Sequence, residues 1–329
     1  MVIPAILETQ DAELVAIASR SLDKARTMAS QFDAPAAYGS YEELLADPQV
    51  QAVYIPLPNN LHKPWSIAAL RAGKHVLCEK PIALDAGEAR EMQAAAEAAG
   101  RLLLEALMYR FTPLMRKAMR LIRDRALGEI QAIHTVFSVM MRDEPGNFRL
   151  QATLGGGAMY DLGCYCISVQ RMLAGREPHT AWAHLTWSHE TGIDTGGVGA
   201  LDFGHGLQGT FNIGMYVRWD NYFRVSGTEG TLEAPIGFLG RERRPFLTLW
   251  HSRRPRDATD PPKPYMVERN WSERITVEPA NPYLLEVEDA CAAIRGERSP
   301  LYGSEPLNAN MRVIDACFAS DQAGHAVRV

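Results

Sequence analysis

Within residues 1–110, four short apolar runs alternate with stretches of helical periodicity, and this alternation restricts the chain more than any other feature. ELVAIAS (13–19) precedes LDKARTMASQF (22–32), VQAVYIPLP (50–58) precedes HKPWSIAALRAG (62–73), and HVLCE (75–79) precedes ALDAGEAREMQAAAEAAG (83–100). RLLLEALM (101–108) closes the series, and Gly73 stands where a helix is expected to end in a left-handed residue. Apolar strands separated by helices belong to a parallel sheet covered on both faces.

Residues 129–278 follow a different rule. EIQAIHTVFSVMM (129–141), HTAWAHLTWSHE (179–190), GGVGALDFG (196–204), LQGTFNIGMYV (207–217), NYFRVSG (221–227) and GTLEA (230–234) are extended segments separated by Gly, Asp and Asn turns. Helix-length crossovers between most of them are missing, which predicts an antiparallel sheet. The stretch 252–270 is rich in Pro and Arg and reads as a surface loop; helices are expected over 281–296 and about 306–323. The expected fold class is therefore α/β. A Rossmann-type parallel sheet occupies 1–111, and an α/β domain with a large, mostly antiparallel sheet, closed by the C-terminal helices, occupies 112–329.

Composition excludes several functions. With 34 basic and 39 acidic residues the net charge is −5, which offers no field for nucleic acid or anionic lipid. No apolar run reaches the ~18 residues of a membrane span, and the opening residues lack a basic, apolar leader. Five cysteines (Cys78, Cys164, Cys166, Cys291 and Cys317) show no metal-ligand spacing and read as reduced core thiols of a cytoplasmic protein. No metal is expected.

A dinucleotide site in a doubly wound half begins with a Gly-rich turn after the first strand. Here the first glycine of the chain is Gly39. The residue that reads the ribose should end the second strand, ~20 residues after that turn, and Ser19 and Arg20 end ELVAIA. That spacing puts the glycines before Met1. MVIPAILETQ (1–10) then fits the rest of the following helix, with Val2, Ile3, Ile6 and Leu7 on one face. The expectation is a sheet without its first strand and phosphate loop, through a late start or a real loss. The guanidinium of Arg20 suits a 2′-phosphate, with Ser19 as an added donor, which favours NADP over NAD; alternatively Arg20 begins a solvated loop.

Two places carry candidate chemistry. Glu79, Lys80 and Pro81 follow the apolar strand HVLCE, and ligands of open α/β sheets bind at such carboxyl ends. The Pro81 ring pushes Lys80 into an extended conformation, although the tripeptide alone reads as a solvated loop. In LGGGAMYDLGCYCISVQRML (154–173), three glycines open a helix in which Asp161 and Tyr165 share a face. Gly163 between them suggests close backbone approach. A phenol near an ammonium can act as acid and base; read alone, the pair is equally a surface tyrosine and a capping aspartate.

The motifs PNNLH (58–62), AGKHVLCEKPIAL (72–84), EALMYRFTP (105–113), GGGAMYDLGCYCI (155–167) and VSGTEGTLE (225–233) together resemble the glucose–fructose oxidoreductase/inositol dehydrogenase family, Gfo/Idh/MocA. The resemblance implies that Lys80 is an active-site lysine near both the nicotinamide and the reacting hydroxyl. Glu79 then positions the nicotinamide ribose, and Pro58, Asn59 and His62 line the cofactor cleft. It also implies that Asp161 orients the substrate and that Tyr165 is the acid/base. Arg110 is a weaker cofactor candidate, or only a salt bridge at the domain interface. Tyrosine at 165 matches sugar- and dihydrodiol-oxidising members, whereas inositol dehydrogenases carry histidine there. The implied reaction is NAD(P)-dependent hydride transfer at a sugar or polyol carbon. Alternatives are a trans-dihydrodiol or 1,5-anhydrofructose-type reductase, or a non-catalytic dimer that has lost cofactor binding. Family members commonly associate through the open sheet face, which implies a homodimer or homotetramer. His134, His184, His189, His205 and His251 read as structural or solvated. Trp182, Trp187, Trp219 and Trp250 read as core, or as part of that dimer face.

Overall fold

A computed structural model describes residues 1–142, 144, 146–238, 244–251, 271–302 and 306–329. The stretch 252–270, expected as a surface loop, lies outside them. The chain divides into two compact units: Met1–Met108 with Thr153–Gly155 and Tyr283–Met311, and Tyr109–Ala152 with Gly156–Pro282 and Arg312–Val329. This corrects the expected domain limits. Tyr283–Met311, assigned from sequence to the second domain, belongs by its contacts to the first unit. Helical periodicity shows that a segment is helical and says nothing about which body it joins.

The first unit opens with α1 (Val2–Glu8), whose buried residues are Val2 and Ala5. The expected stripe of Val2, Ile3, Ile6 and Leu7 is not the one used, since Leu7 is exposed. Five parallel strands follow: β1 (Ala16–Ala18), β2 (Ala36–Tyr38), β3 (Ala52–Ile55), β4 (His75–Glu79) and β5 (Leu103–Ala106). They form two separate pieces, β1-β2 and β3-β4-β5. These are the two arms of the doubly wound order 3-2-1-4-5-6, and no described residue supplies the strand in position 1. The helices between are α2 (Leu22–Gln31), α3 (Tyr41–Ala46), α4 (His62–Arg71) and α5 (Ala86–Ala99). Their starts are set by side-chain caps: Ser21 accepts from Lys24 N–H, Ser40 from Glu43 N–H, and Asp85 from Glu88 N–H. Gly100 ends α5 at φ +60°, as a helix-terminating glycine should. The sequence reading missed β2 and α3; three residues of β2 acquire strand geometry only by pairing with β1.

The second unit is built on nine strands in the order β13-β12-β11-β10-β6-β9-β8-β7-β14. They are β6 (Ile130–Met140), β7 (Thr180–Trp187), β8 (Asp194–Asp202), β9 (Gln208–Gly214), β10 (Tyr216–Gly227), β11 (Gly230–Ala234), β12 (Phe246–His251), β13 (Trp271–Thr276) and β14 (Val327–Arg328). All neighbouring pairs are antiparallel except β6 with β9, which run parallel. The remaining helices are α6 (Pro113–Arg123), α7 (Cys164–Ala174), α8 (Pro282–Ile294) and α9 (Ala309–Ala323), the last two carrying the chain across the unit limits. One face of the sheet is apolar and covered: Ile133, Phe137, Phe211, Ile213, Phe223 and Val225 are buried. Each such large side chain contributes ~1.5–3 kcal/mol. On the other face Trp182, Val198, Val217 and Trp219 are exposed. Trp187 and Trp250 are also exposed, so all four tryptophans read first as core lie at the surface.

Candidate active site

In the first unit the site residues gather at the carboxyl ends of the parallel strands. Glu79 ends β4, and its two carboxylate oxygens are both engaged. Tyr54 O–H donates to Oε1 at 2.5 Å, and Lys80 N–H donates to Oε2 at 3.2 Å. A hydrogen bond to a carboxylate is short and strong. Burial and the adjacent Glu79 push the Tyr54 phenol far above its usual range, so it stays protonated and remains the donor.

The backbone beyond Lys80 is held at three points. The Lys80–Pro81 peptide is cis. The Pro81 carbonyl lies 2.8 Å from His62 Nδ1, Glu105 Oε1 accepts Ile82 N–H at 2.9 Å, and Glu88 Oε2 accepts Leu84 N–H at 3.1 Å. Helix α4, strand β5 and helix α5 each contribute one of these anchors, so the loop bearing Lys80 is fixed by side chains rather than by a ladder. Tyr54, Glu88 and Glu105 were absent from the sequence reading, because their roles depend on neighbours ~20 residues or more away in most cases.

His62, expected beside the cofactor cleft, is held by the backbone on both sides of its ring. It is fully buried, and Nε2 lies 2.8 Å from the Leu57 carbonyl while Nδ1 faces Pro81. Only an imidazolium donates from both nitrogens, yet burial outweighs those two carbonyls and pulls the pKa below the ordinary histidine value. His62 is thus a brace between the loop after β3 and the loop after β4. Asn59 is also buried and donates from Nδ2 to the Gly155 carbonyl at 2.7 Å. Pro58 is half-buried just before it. At the end of β1, Ser19 N–H bonds Tyr38 O at 3.1 Å, and Arg20 is exposed.

In the second unit the glycine-led segment does not form a plain helix from its start. Met159–Gly163 is a π-helical turn, in which Cys164 N–H reaches back to Met159 O, and α7 follows it. Such turns widen the helix and recur at functional sites. A side chain on Gly163 would bring Cβ to 2.5 Å from Met159 Sδ and 3.4 Å from Ile213 Cδ1. The crowding expected there is real, but it comes from side chains rather than backbone.

Asp161 is paired with Arg149, Nε to Oδ1 at 3.1 Å, and Arg149 in turn packs over the ring of Phe148. Tyr165 is 6 % exposed and surrounded by aromatic rings: Phe137 at 5.4 Å, Tyr109 at 5.9 Å and Phe238 at 6.2 Å between centroids. Helix α7 is seated by buried polar contacts. Tyr109 O–H and Arg110 Nη2 reach Ser168 Oγ at 2.8 and 2.7 Å, and Gln170 donates to Thr135 Oγ1 and Thr210 O at 2.8 and 2.9 Å. At its last turn Arg171 forms a two-point pair with Glu177, which suits a cation at a helix carboxyl end. Arg110, the weaker cofactor candidate, is therefore engaged with Ser168 inside the second unit. Arg149 escaped the sequence reading; its position shortly before the glycine triplet was the signal available.

The five candidate histidines are divided among minor contacts. His134 meets Thr210 Oγ1 at 2.7 Å, His184 faces Asp321 at 3.8 Å, and His251 stacks on Trp271 and meets Glu273 at 3.1 Å. His189 and His205 are exposed or in a turn, the latter at φ +52°. None of the five cysteines forms a disulfide, and burial pushes the thiols of Cys166 and Cys317 up to about 12.

These residues fit a nicotinamide dinucleotide at both of its ends. Ser19 and Arg20 follow β1 and Lys80 follows Glu79 at the end of β4, the strand ends at which a doubly wound sheet meets a dinucleotide, while residues 1–38 contain no glycine for a pyrophosphate turn.

Comparison with known proteins agrees with this reading. Residues 1–107 match the model of an oxidoreductase family with an NAD-binding Rossmann fold, and residues 115–233 match the GFO/IDH/MocA C-terminal domain. The chain is 35 % identical to a D-xylose 1-dehydrogenase (NADP(+)) of Haloferax volcanii over 328 residues, covering 100 % of this chain and 95 % of the relative. It is 35 % identical to the human trans-1,2-dihydrobenzene-1,2-diol dehydrogenase over 233 residues, 70 % of this chain and 69 % of that one. Among solved structures, a 3-ketoreductase from Actinomadura kijaniata in complex with NADP and TDP-benzene superposes with a TM-score of 0.86. Its identity is 26 %, and the match covers 97 % of this chain and 93 % of the other. The chain therefore belongs to the Gfo/Idh/MocA family of oxidoreductases.

Proposed function

We propose that this chain is an NADP-dependent oxidoreductase that moves a hydride between nicotinamide and a hydroxyl-bearing carbon of a sugar or polyol. The observation that carries the reading is the Lys80 loop, held at the end of a parallel strand by His62, Glu105 and Glu88. A solvated loop has no need of three such anchors.

Bound NADP supplies the hydride acceptor, or the donor in the reverse direction. Arg20 and Ser19 hold its 2′-phosphate, and Glu79 and Lys80 serve its nicotinamide end. Asn59, Pro58 and His62 shape the cleft wall from behind. Tyr165 takes the proton from the substrate hydroxyl. Lys80 supplies an ammonium at the nicotinamide end, and an ammonium beside a phenol favours its phenolate near neutral pH. Asp161, oriented by Arg149, fixes the neighbouring substrate hydroxyls. A tyrosine at 165 suits an aldose or a trans-dihydrodiol, and relatives named for each substrate are 35 % identical to this chain over the residues that match.

A second copy covers the open face of the nine-stranded sheet, where Trp182, Val198, Val217 and Trp219 are exposed together. Five cysteines that form no disulfide support a cytoplasmic reading. The test is a titration with NADPH followed by fluorescence, with initial rates on D-xylose, other aldoses, a ketose and a trans-dihydrodiol. Binding with turnover of one class is expected. Absence of both NADPH binding and turnover across the panel would overturn the proposal.

A further inference from the structure

We propose that Asp194 is a positioning residue for this reaction, setting from β8 the backbone of the turn that carries Asp161 and leads to Tyr165. The inference rests on the reading that Asp161 and Tyr165 act on the substrate. Asp194 is the first residue of β8 and is 1 % exposed. Its Oδ2 accepts Met159 N–H at 2.6 Å, and Ala158 N–H bears on the same carboxylate. Met159 is also the residue whose carbonyl receives the Cys164 N–H and so defines the π-helical turn. One carboxylate thereby fixes the residue at which that turn begins.

The helix lacks a local alternative. Ala158, at the position where a side-chain cap would stand, has no side chain that could provide one. The approach is permitted by Gly157. Its φ is +125°, open to glycine and strained for other residues, and a Cβ there would collide with Asp194 Oδ1. A carboxylate 35 positions along the chain and a glycine in the loop are thus matched to each other. The loop cannot take a side chain without displacing the group that holds it.

The charge on Asp194 changes in the working range. Burial, aided by Asp321, raises its carboxyl to about 7. Asp321 reaches it from α9 and is itself engaged with Leu185 N–H, Trp187 Nε1 and, at 3.8 Å, His184 Nδ1. As pH rises through neutrality the carboxylate ionises, and its hold on the Met159 and Ala158 amides becomes charge-assisted.

The experiment compares wild type with Asp194→Asn, which is nearly isosteric, and with Gly157→Ala, which displaces the carboxylate. In both variants kcat is expected to fall about ten- to a hundredfold, with the affinity for NADPH unchanged. In Asp194→Asn the rise of kcat between pH 6 and 8 should also flatten. Wild-type kcat and pH profile in a folded Asp194→Asn protein overturns the proposal. A second readout needs no turnover. A buried carboxyl with a raised pKa stabilises the fold fully at low pH and loses that contribution as pH rises through 7. The Tm of wild type should therefore fall relative to Asp194→Asn from pH 5 to 8, and amide exchange at Met159 should quicken in the variant. Parallel Tm profiles with unchanged exchange overturn it as well. A wild-type protein that turns over no substrate, yet shows the Tm and exchange differences, refutes the functional reading and leaves the structural hold of Asp194 in place.

Discussion

The two units hold Lys80 and Tyr165, the residues proposed to carry the chemistry, by opposite means. In the first, strands of three to five residues end in loops, and the Lys80 loop is fixed by side chains that reach its backbone from three separate elements. In the second, strands of up to twelve residues make a broad platform, and Tyr165 is fixed because its whole helix is seated on that platform. A loop is positioned atom by atom; a helix is positioned as a body and carries its side chains with it. The consequence is that loss of one brace should act locally in the first unit, whereas in the second it should be shared along α7.

The comparison fails at once if either reactive group is dispensable. Lys80→Ala and Tyr165→Phe should each lower kcat by about 10²–10⁴-fold while leaving circular dichroism and Tm close to wild type. Near-normal turnover in both would remove the chemistry that the two supports are said to serve.

His62→Leu probes local support. It removes the one N–H that the neutral ring donates to the Pro81 or the Leu57 carbonyl, at a cost of about 1–3 kcal/mol in urea unfolding, and amide-exchange protection should drop around 79–84 with little change in 159–174. The pH sign is set by the lowered pKa of His62. Its contribution is present above the ordinary histidine value of ~6.5 and is lost as pH falls toward the folded value. Wild type should therefore lose stability between pH 7 and 5 more steeply than His62→Leu does.

Gln170→Leu tests distributed support. Removing the bonds to Thr135 and Thr210 should cost about 1–3 kcal/mol, and exchange should quicken along all of α7 rather than at one turn. A loss of protection confined to residues beside 170 would contradict the picture of a helix seated as a body. The smallest effect on the isolated chain is expected at the open sheet face. Trp219→Asp should shift monomer stability by no more than about 0.5 kcal/mol but abolish self-association in light scattering. An oligomer that survives the change would place the contact elsewhere.

Much of this was legible in the residues. The glycine at 100 and the uninterrupted run HVLCE state their elements locally, because each rests on groups within one turn or one strand. The Glu-Lys-Pro tripeptide and the pair Asp161 and Tyr165 were likewise visible as candidates. Strand β2, the edge strand β13 and its neighbour β12 were not, since three to six residues acquire strand geometry only from a neighbour. That His62 is a buried brace was not visible in PNNLH, because burial depends on the elements packed around it.

Sequence by itself determined the two periodicities, the order of the elements and the chemical types at positions 20, 79, 80, 161 and 165. These depend on spacing along one chain, where alternation and helical repeat are already expressed. Tertiary structure alone decided that Tyr54 holds Glu79, that Arg149 pairs with Asp161, that Tyr165 lies among three aromatic rings, and that Asp194 caps a turn begun 35 residues earlier. Each of those is a contact between groups distant in the chain. Its energy comes from excluding water around packed rings or around a matched donor and acceptor, which no local pattern encodes.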